Sequence, residues 1–504
     1  MLAFLVLGGL ALLGSSDTRT LHPIDPAALS AGPGQDRWMG IFFEDQPVGY
    51  AVSSQIPTLE GGMLLRSRSV FRLVAMGRIQ RVLTAGTAVM DTDSLLQRFE
   101  FFMDSDQLEL SVRGEVRPGL LHMEVLQAGE VQTLELPMAR PPQLSLSLER
   151  ALIRDDMAVG QRFSIPYFDP VTLAQADLEV EVTDVTILPG TAEEAYWLTT
   201  TFAGVQSRRL VTPSGETLRE ESGLGLSLVR MTRDEAEALL DRAEPVDLIA
   251  RAAVRLGRPL PDARAKRLVK LTVSGIDPAL IPDQPPLQRV EGAEVTVEVP
   301  IAAEIPALPR YLAGTVWEEN GSPLLRDAAP LPPADDPTLL AALRPGPLLP
   351  SDHPEVRARA LEIVQDIPDR KAAAAAIERW VYAHVQKRPL LSLPNGLEVL
   401  RRLEGDCNEY TALYVTLARA AGVPARIAAG LVYSEEVDGS PAFWYHAWPE
   451  VHLGGEHPWV PVDPTFGQFP ADATHLKLAE GDLDRQVEIL GLMGQIGLTV
   501  TEAR

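Results

Sequence analysis

Three residues near the C-terminus carry the side chains of a nucleophile, a base and an orienting carboxylate. Cys407, the chain's single cysteine, lies in GDCNEYTALYVTLARAAGVPAR, His446 lies in FWYHAWPEVHL, and Asp463 lies in HPWVPVDPTFG. A cysteine attacks a carbonyl carbon once a histidine has taken the thiol proton, and a carboxylate can hold that histidine in the required orientation. These residue types predict covalent catalysis at an acyl group. A buried thiol, a packed histidine and a turn-forming aspartate remain the alternative interpretation.

The stretch around Cys407 predicts a helix that begins at the cysteine. Asp406 and Glu409 stand three positions apart, which is the pattern of a capping box. The buried face and the end of this helix are marked by Leu413, Leu417, Ala421, Gly422 and Pro424. A cysteine in the first turn lies among backbone N–H groups without helical partners, which favours its thiolate, whereas the two adjacent carboxylates oppose it.

The segments after this helix predict strands that carry the histidine and the aspartate. RIAAGLVYSEE and FWYHAWPEVHL have the composition of strands, and a third strand, in HPWVPVDPTFG, ends at Asp463. Alternation along the second strand places on one face His446, Trp448, Glu450 and His452. Trp444 and Trp448 flank the histidine and are predicted to wall a substrate groove. Pro449 in the same strand predicts a sheet edge or a bulge.

A metal site is a second chemistry that this region suggests. Its donors would be His446, His452, His457 and His475 together with Asp472. Two of these histidines flank a Gly-Gly turn, and the set contains no helical pair four residues apart, so the spacing lacks a pattern typical of zinc sites. We therefore predict that the chain uses no metal and no organic cofactor.

Two longer stretches around these residues resemble a known family. GDCNEYTALYVTLARAAGVPARIAAGLVY and WYHAWPEVHLGGEHPWVPVDPT resemble the core motifs of the transglutaminase-like superfamily, in particular its bacterial cysteine-protease type. The resemblance implies a papain-like α+β fold over roughly Asp352 to Arg504 and a Cys–His–Asp triad. By motif, Cys407 would be the nucleophile, His446 the general base and then acid, and Asp463 the residue that holds the imidazole. The following FGQFPADATHLKL is similar to the continuation in many bacterial members, to which we assign no role.

The rest of the chain predicts a multidomain protein with a β-rich N-terminal region before this catalytic domain. Residues 36–235 alternate apolar and polar side chains between turn residues, which predicts an all-β region of one or two sheets. Residues 236–320 predict a helix and a small β segment, and residues 321–350 a proline-rich linker. The catalytic domain would occupy residues 351–504 and be separable at that linker.

Composition narrows the partners and the location. The 504 residues contain 45 Lys and Arg against 69 Asp and Glu, a formal charge of −24, which disfavours nucleic-acid binding. A single cysteine excludes an intrachain disulfide. The apolar run at residues 1–14 is too short for a membrane-spanning helix and predicts a signal peptide or N-terminal anchor over residues 1–16. We expect export to the periplasm or cell envelope, with membrane association only through this segment; a buried helix in a cytoplasmic protein is the alternative.

Three functions are compatible with these features. The first is hydrolysis of amide bonds in proteins or peptides, as a peptidase or amidase, through a thioester acyl-enzyme. The second is a protein-glutamine transglutaminase, which would pass the same acyl group to an amine. The third is a non-enzymatic envelope binding or assembly protein in which the β region binds the partner.

Overall fold

The structure, a computed structural model, describes residues 35–75, 78–105, 109–127, 130–154, 157–222, 225–243, 253–311, 316–317, 323–324, 336–346, 348–388, 394–437, 439–481, 489, 492 and 494–504. The predicted signal peptide or anchor at 1–16 and residues 325–335 of the predicted linker lie outside them. No helix among these described residues is long and apolar enough to cross a bilayer.

The chain divides into two compact units. The N-terminal unit comprises Met1–Arg251 with Leu390–Ser392, and the C-terminal unit comprises Ala252–Pro389 with Leu393–Arg504. The multidomain architecture predicted from the sequence, a β-rich region followed by a domain of helices and strands, is confirmed.

An antiparallel sheet of fourteen strands forms most of the N-terminal unit. Its strands are β1 (Gln35–Phe43), β2 (Gln46–Pro57), β3 (Met63–Ala75), β4 (Arg78–Met90), β5 (Leu96–Ser105), β6 (Glu109–Arg117), β7 (Leu120–Gln127), β8 (Glu130–Pro137), β9 (Arg162–Asp169), β10 (Ala174–Ile187), β11 (Glu194–Phe202), β12 (Val205–Val211), β13 (Thr217–Ser222) and β14 (Leu226–Met231). Strands consecutive in the chain pair in two runs, β1 to β8 and β9 to β14, which are joined where β1 pairs with β14.

Alternation in the sequence explains why these segments form half-buried strands. On β12, Val205 and Val211 are buried while Gln206 and Arg208 between them are exposed. Two short helices accompany the sheet, α1 (Leu148–Ala151) and α2 (Arg233–Arg242). Thr232 caps α2 through a capping box with Glu235. The helix predicted at the start of residues 236–320 thus begins at Arg233 and is described as far as Arg242.

Five α-helices are described in the C-terminal unit. They are α3 (Pro337–Ala341), α4 (Pro354–Val364), α5 (Arg370–His384), α6 (Gly396–Arg402) and α7 (Cys407–Ala420). Four of them, α4 to α7, contribute to one apolar core. Every residue of α7 from Glu409 onward is buried, because α4, α5, α6 and a strand all pack against this helix. The helix that begins at the single cysteine is thus the centre of the core, which fixes the position of its first turn.

Two sheets complete this unit. The first has the order β15 (Val254–Arg255), β24 (Ala442–His452), β23 (Ala425–Ser434) and β26 (Leu476–Glu480), with β25 (Trp459–Pro461) also paired to β24. The second has the order β17 (Gln288–Glu291), β18 (Glu294–Glu298), β16 (Leu268–Ser274) and β27 (Gly497–Ala503). Two-residue strands form the pairs β19 (Val316–Trp317) with β20 (Pro323–Leu324) and β21 (Gln386–Lys387) with β22 (Glu404–Gly405).

The boundary between the units differs from the one predicted at residues 321–350. Strand β15 pairs with β24, and β16 pairs with β27, so the predicted helix-plus-β region belongs from Ala252 onward to the same compact unit as most of residues 351–504, while its helical start belongs to the N-terminal unit. The proline-rich composition indicated an extended segment, but it could not show that strands on its two sides pair with each other. We therefore no longer expect residues 351–504 to be separable at that segment.

Candidate active site

Cys407 lies at the first position of α7, as predicted. Asp406 is the cap: its Oδ1 accepts the Asn408 N–H at 3.1 Å, while Glu409 Oε2 accepts the Asp406 N–H at 3.0 Å. Gly405 makes this close approach possible, because a Cβ on it would lie 2.2 Å from Cβ of Glu409. The sequence Gly-Asp-Cys therefore fixes the start of the helix and places the thiol in its first turn.

The first turns of α7 lie against one edge of strand β24, the edge opposite β23, over a stretch that no described strand covers. The backbone N–H of Ala447 hydrogen-bonds to the sulfur of Cys407, and Thr411, one turn further along α7, donates to the Ala447 carbonyl at 3.0 Å. Strand β15 covers the same edge of β24 only at residues 442–443, and β25 only at residues 450–452. The gap between them leaves the N–H and carbonyl of Ala447 for the helix, so the sulfur lies next to the residue that follows His446.

Pro449 lies at one end of this gap. It pairs with Ile427 of β23 without a change of register, and its carbonyl accepts the N–H of Val462 at 2.8 Å. The predicted sheet edge is present over residues 444–449, while the described register of β23 and β24 contains no bulge. Strand β24 continues through Pro449 to His452, so the proline does not interrupt it.

His446 and Asp463 form a direct, buried pair. His446 Nε2 lies 2.8 Å from Asp463 Oδ2, while Asp463 Oδ1 accepts the backbone N–H groups of Thr465 at 2.7 Å and Phe466 at 3.1 Å. Because an ionised carboxylate only accepts hydrogen bonds, Nε2 carries the proton of this pair. The other ring nitrogen, Nδ1, is then the one able to accept a proton from the thiol.

Two aromatic rings hold the imidazole of His446. The Phe466 ring stacks at 5.2 Å with an interplanar angle of 29°, and the Trp448 ring lies at 6.2 Å with an angle of 20°. Trp448 is 1% exposed and Trp444 is 4% exposed, and the Trp444 indole donates to the carbonyl of Ser434 at 3.1 Å. These contacts make Trp448 a support of the imidazole, while the role of both tryptophans as groove walls stays a prediction.

A second histidine, which the sequence did not single out for catalysis, shares the carboxylate. His475 Nε2 lies 3.0 Å from the same Asp463 Oδ2, and His475 Nδ1 lies 2.9 Å from the Asp472 carbonyl. Asp472 also pairs with Arg264 at 3.1 Å. The available signal was the polar triplet of Asp472, Thr474 and His475 within an otherwise apolar stretch, but only the fold shows which of them reaches Asp463.

Residues 357–464 match the family model of the transglutaminase-like superfamily. The C-terminal unit contains a transglutaminase-like domain. The match includes the three residues assigned by motif, and it confirms the resemblance seen in the sequence. The family is one of cysteine-type enzymes.

Other comparisons are less specific. No curated protein matches the chain in sequence. A "Putative Cysteine Protease" from Cytophaga hutchinsonii is 15% identical, with a TM-score of 0.29, covering 50% of this chain and 82% of the other. A "Putative Protease" from Parabacteroides distasonis is 12% identical, with a TM-score of 0.20, covering 82% and 69%. A beta-barrel-like protein of a domain of unknown function from Brucella abortus is 13% identical, with a TM-score of 0.33, covering 40% and 96%. These TM-scores are low, so the family match alone identifies the domain.

Negative and positive side chains alternate in the buried polar group formed by Asp463, His475 and Asp472. Burial by itself would raise the pKa of Asp463, but His446 and His475 outweigh burial and hold that pKa well below its usual range. Burial would likewise lower the pKa of His475, yet Asp472 and Asp463 raise it to about 9. Both carboxylates are therefore ionised at neutral pH, and His475 between them is an imidazolium.

The thiol of Cys407 differs from the Asp463 carboxyl in that its pKa is raised and its neutral form is favoured. Burial and then the charge of Asp406 raise the pKa of Cys407 well above its usual range, and the N–H from Ala447 only partly opposes them. Burial and the acidic neighbours therefore favour the neutral thiol as the resting form of the sulfur. Its attack on a carbonyl requires a base in contact with it.

The same side chains do not fit a metal ion as they are arranged. The donor atoms of His446, Asp463 and His475 lie within 4.8 Å of one another. Donors around a tetrahedral zinc ion lie roughly 3.3 Å apart, given zinc–nitrogen distances near 2.0 Å. Here both nitrogens lie at 2.8 and 3.0 Å from one oxygen, which are hydrogen-bond distances. His452 packs on Trp459 instead, apart from this group.

A buried carboxyl on α5 lies beneath the site. Glu378 is 4% exposed. Its pKa is raised to about 7, chiefly by burial, which Arg379 partly opposes, while the negative charge of Asp463 adds a smaller increase. The protonated form of Glu378 is therefore the form that the folded state prefers.

Replacing Glu378 by glutamine should stabilise the protein at alkaline pH. The folded-state pKa is raised from 4.5 to about 7, so the parent's stability is fully present below pH 4.5 and falls as pH rises through 7. We expect Glu378→Gln to raise the free energy of unfolding at pH 8.5 by up to about 3 kcal/mol, and to have little effect near pH 4.5. Urea unfolding at both pH values measures this. Exposed Glu362, replaced in the same way, is the control, and destabilisation by Glu378→Gln at pH 8.5 would contradict the prediction.

Proposed function

We propose that the protein is a cysteine enzyme that cleaves amide bonds of proteins or peptides through a thioester acyl-enzyme, with hydrolysis as its outcome. One observation supports this most directly. Cys407 is held at a helix start against Ala447, and His446, the residue before Ala447, is fixed through Nε2 by Asp463, which leaves Nδ1 as the ring nitrogen able to accept a proton. This arrangement supplies a nucleophile, a base and an orienting carboxylate with no cofactor.

Acylation begins with transfer of the thiol proton of Cys407 to Nδ1 of His446. The sulfur forms a bond to the carbonyl carbon, and the carbon–nitrogen bond then breaks as His446 returns the proton to the leaving nitrogen. Ammonia or an amine departs and a thioester remains. Asp463 stays ionised throughout and stabilises the imidazolium that forms in the transition state.

The tetrahedral oxyanion needs hydrogen-bond donors. The backbone N–H of Cys407 belongs to the first turn of α7, where N–H groups have no partner within the helix. It is therefore available to donate to the oxyanion, together with a further donor from elsewhere in the site.

Deacylation decides between hydrolase and transferase. In hydrolysis, water gives a proton to His446, its oxygen bonds to the carbonyl carbon, and the carbon–sulfur bond breaks as His446 returns the proton to the sulfur of Cys407. Hydrolysis is supported by the partial exposure of Cys407, because transfer to an amine requires that water be kept away from the thioester.

The experiment offers a glutamine-containing protein together with a labelled primary amine. Ammonia release, new α-amino groups and label incorporation are measured in parallel, with Cys407→Ala as the control. We expect ammonia or new α-amino groups to exceed incorporated label at millimolar amine. Cysteine-dependent incorporation that outruns hydrolysis would replace this proposal by the transglutaminase function.

A further inference from the structure

Asp463 is bonded to more partners than a triad requires. Its Oδ1 accepts two backbone N–H groups, and its Oδ2 accepts one hydrogen bond from His446 and one from His475. The side chain is fully buried. A carboxylate with four donors in fixed directions cannot rotate without losing hydrogen bonds in a site where water does not replace them.

The charge of this carboxylate needs a permanent partner. While His446 is a neutral base, it cannot compensate the negative charge of Asp463, and an unpaired buried carboxylate is strongly unfavourable. His475 lies between Asp463 and Asp472, and Asp472 is paired in turn with Arg264. Negative and positive side chains therefore alternate in space in the order Asp463, His475, Asp472 and Arg264. Their total charge is zero when His475 is an imidazolium.

Other titratable groups lie around these four side chains on the elements packed against them. Helix α7 contributes the thiol of Cys407, and α5 contributes the carboxyl of Glu378, whose pKa is raised to about 7. Strand β24 contributes His446 itself. The groups that act on the Asp463–His475 pair are thus His446, Asp472, Arg264, Glu378 and Cys407.

We propose that His475 is a positioning residue for the reaction, an imidazolium that holds Asp463 ionised and aimed at His446 through its Nε2–H. The functional unit is then His446, Asp463, His475 and Asp472, one histidine and one aspartate more than the family's triad. This inference rests on the proposed function of Cys407 and His446.

The arrangement determines the proton that His446 carries. His475 occupies one acceptor direction of Asp463 Oδ2 with a proton of its own, so the remaining direction accepts the Nε2–H of His446. That tautomer presents a lone pair at Nδ1, the position that has to receive the thiol proton. Loss of the imidazolium would remove one of the two donors that fix Asp463 Oδ2, so the carboxylate would hold the Nε2–H tautomer of His446 less strictly.

The kinetic test compares His475→Gln with His452→Gln. Glutamine keeps a donor but carries no charge, and His452 is another histidine of the same unit that packs on Trp459 away from the site. We expect His475→Gln to lower kcat by roughly 10- to 100-fold with little change in KM, since the orientation of the base and not substrate contact is lost. We expect His452→Gln to keep the parent kcat.

The second measurement is independent of turnover. In Cys407→Ala protein labelled with ¹⁵N-histidine, NMR should show His475 with both ring nitrogens protonated at pH 7 to 8. Adding His475→Gln should lower the fraction of His446 that carries its proton on Nε2, which the ring ¹⁵N shifts report. A neutral His475 at pH 7, or an unchanged His446 tautomer and kcat in His475→Gln, would overturn the proposal.

A fold defect and a failure of the proposed function are both distinguishable from these results. If His475→Gln fails to fold by circular dichroism, Asp472→Asn keeps His475 and removes its second carboxylate, and the expected result is then a His475 that has lost one ring proton and is neutral at pH 7 to 8. A parent Cys407 that is inert toward iodoacetamide would refute the proposed enzyme. The protonation state of His475 would still decide the present inference.

Discussion

Replacement of Cys407 by alanine is expected to abolish turnover while the fold remains intact. Alanine suits the first turn of a helix, and the cap made by Asp406 and Glu409 does not involve the sulfur. The variant loses the atom that forms the thioester, so we expect kcat to fall by roughly 10⁵-fold or more. Ammonia release from a glutamine-containing protein and circular dichroism measure the two parts of this prediction. Turnover at the parent rate would show that another group is the nucleophile.

Alkylation separates the enzyme from a non-enzymatic binding protein without a known substrate. Burial and Asp406 raise the pKa of the Cys407 thiol, so the sulfur alone should react slowly with iodoacetamide near neutral pH. With His446 as its base, the parent should react faster than His446→Ala. Equal rates in the two proteins would favour the binding or assembly function.

Replacement of Asp463 by asparagine should give the second-largest effect. The amide has no charge to stabilise the imidazolium, and it cannot accept hydrogen bonds from both histidines at 2.8 and 3.0 Å while keeping its backbone donors. The wrong tautomer of His446 then becomes accessible, and we expect kcat to fall roughly 10³- to 10⁴-fold with substrate binding retained. Steady-state kinetics measure kcat and KM separately.

A matched aspartate provides the control for this variant. Asp336 caps the short helix α3 and can be replaced by asparagine, which caps helices equally well. Asp336→Asn should keep the parent kcat. If Asp463→Asn also kept the parent kcat, Asp463 would have no part in orienting His446. His475 could then have no role in catalysis through Asp463.

Local signals account for what the sequence could predict. The capping pattern of Asp406 and Glu409 depends on residues three positions apart, so the start of α7 was readable directly. The side-chain types of Cys407, His446 and Asp463 restrict the chemistry in a similar way. The predicted β-rich region follows from alternation, which is also a short-range property.

Contacts between distant segments account for what it could not predict. The gap in the edge of β24 leaves the backbone of Ala447 in contact with α7, and its limits depend on where β15 and β25 end. Neither limit is encoded near Ala447. The bond from His475 to Asp463 depends on the path of the chain between them. Domain boundaries were misplaced for the same reason, because pairing of β16 with β27 leaves no periodic signal in either strand.

The pairing of β16 with β27 has a consequence for the order of events during synthesis. Ser274 and Gly497 are bonded across 223 positions of the chain. At about 5–20 residues per second, a ribosome needs on the order of 10 to 45 seconds to make the intervening segment. The strands of the N-terminal sheet mostly meet their immediate successors and can assemble as they emerge. The C-terminal unit, by contrast, acquires its complete second sheet only after translation has passed Ala503, so we expect its nascent form to depend on protection of β16 until then.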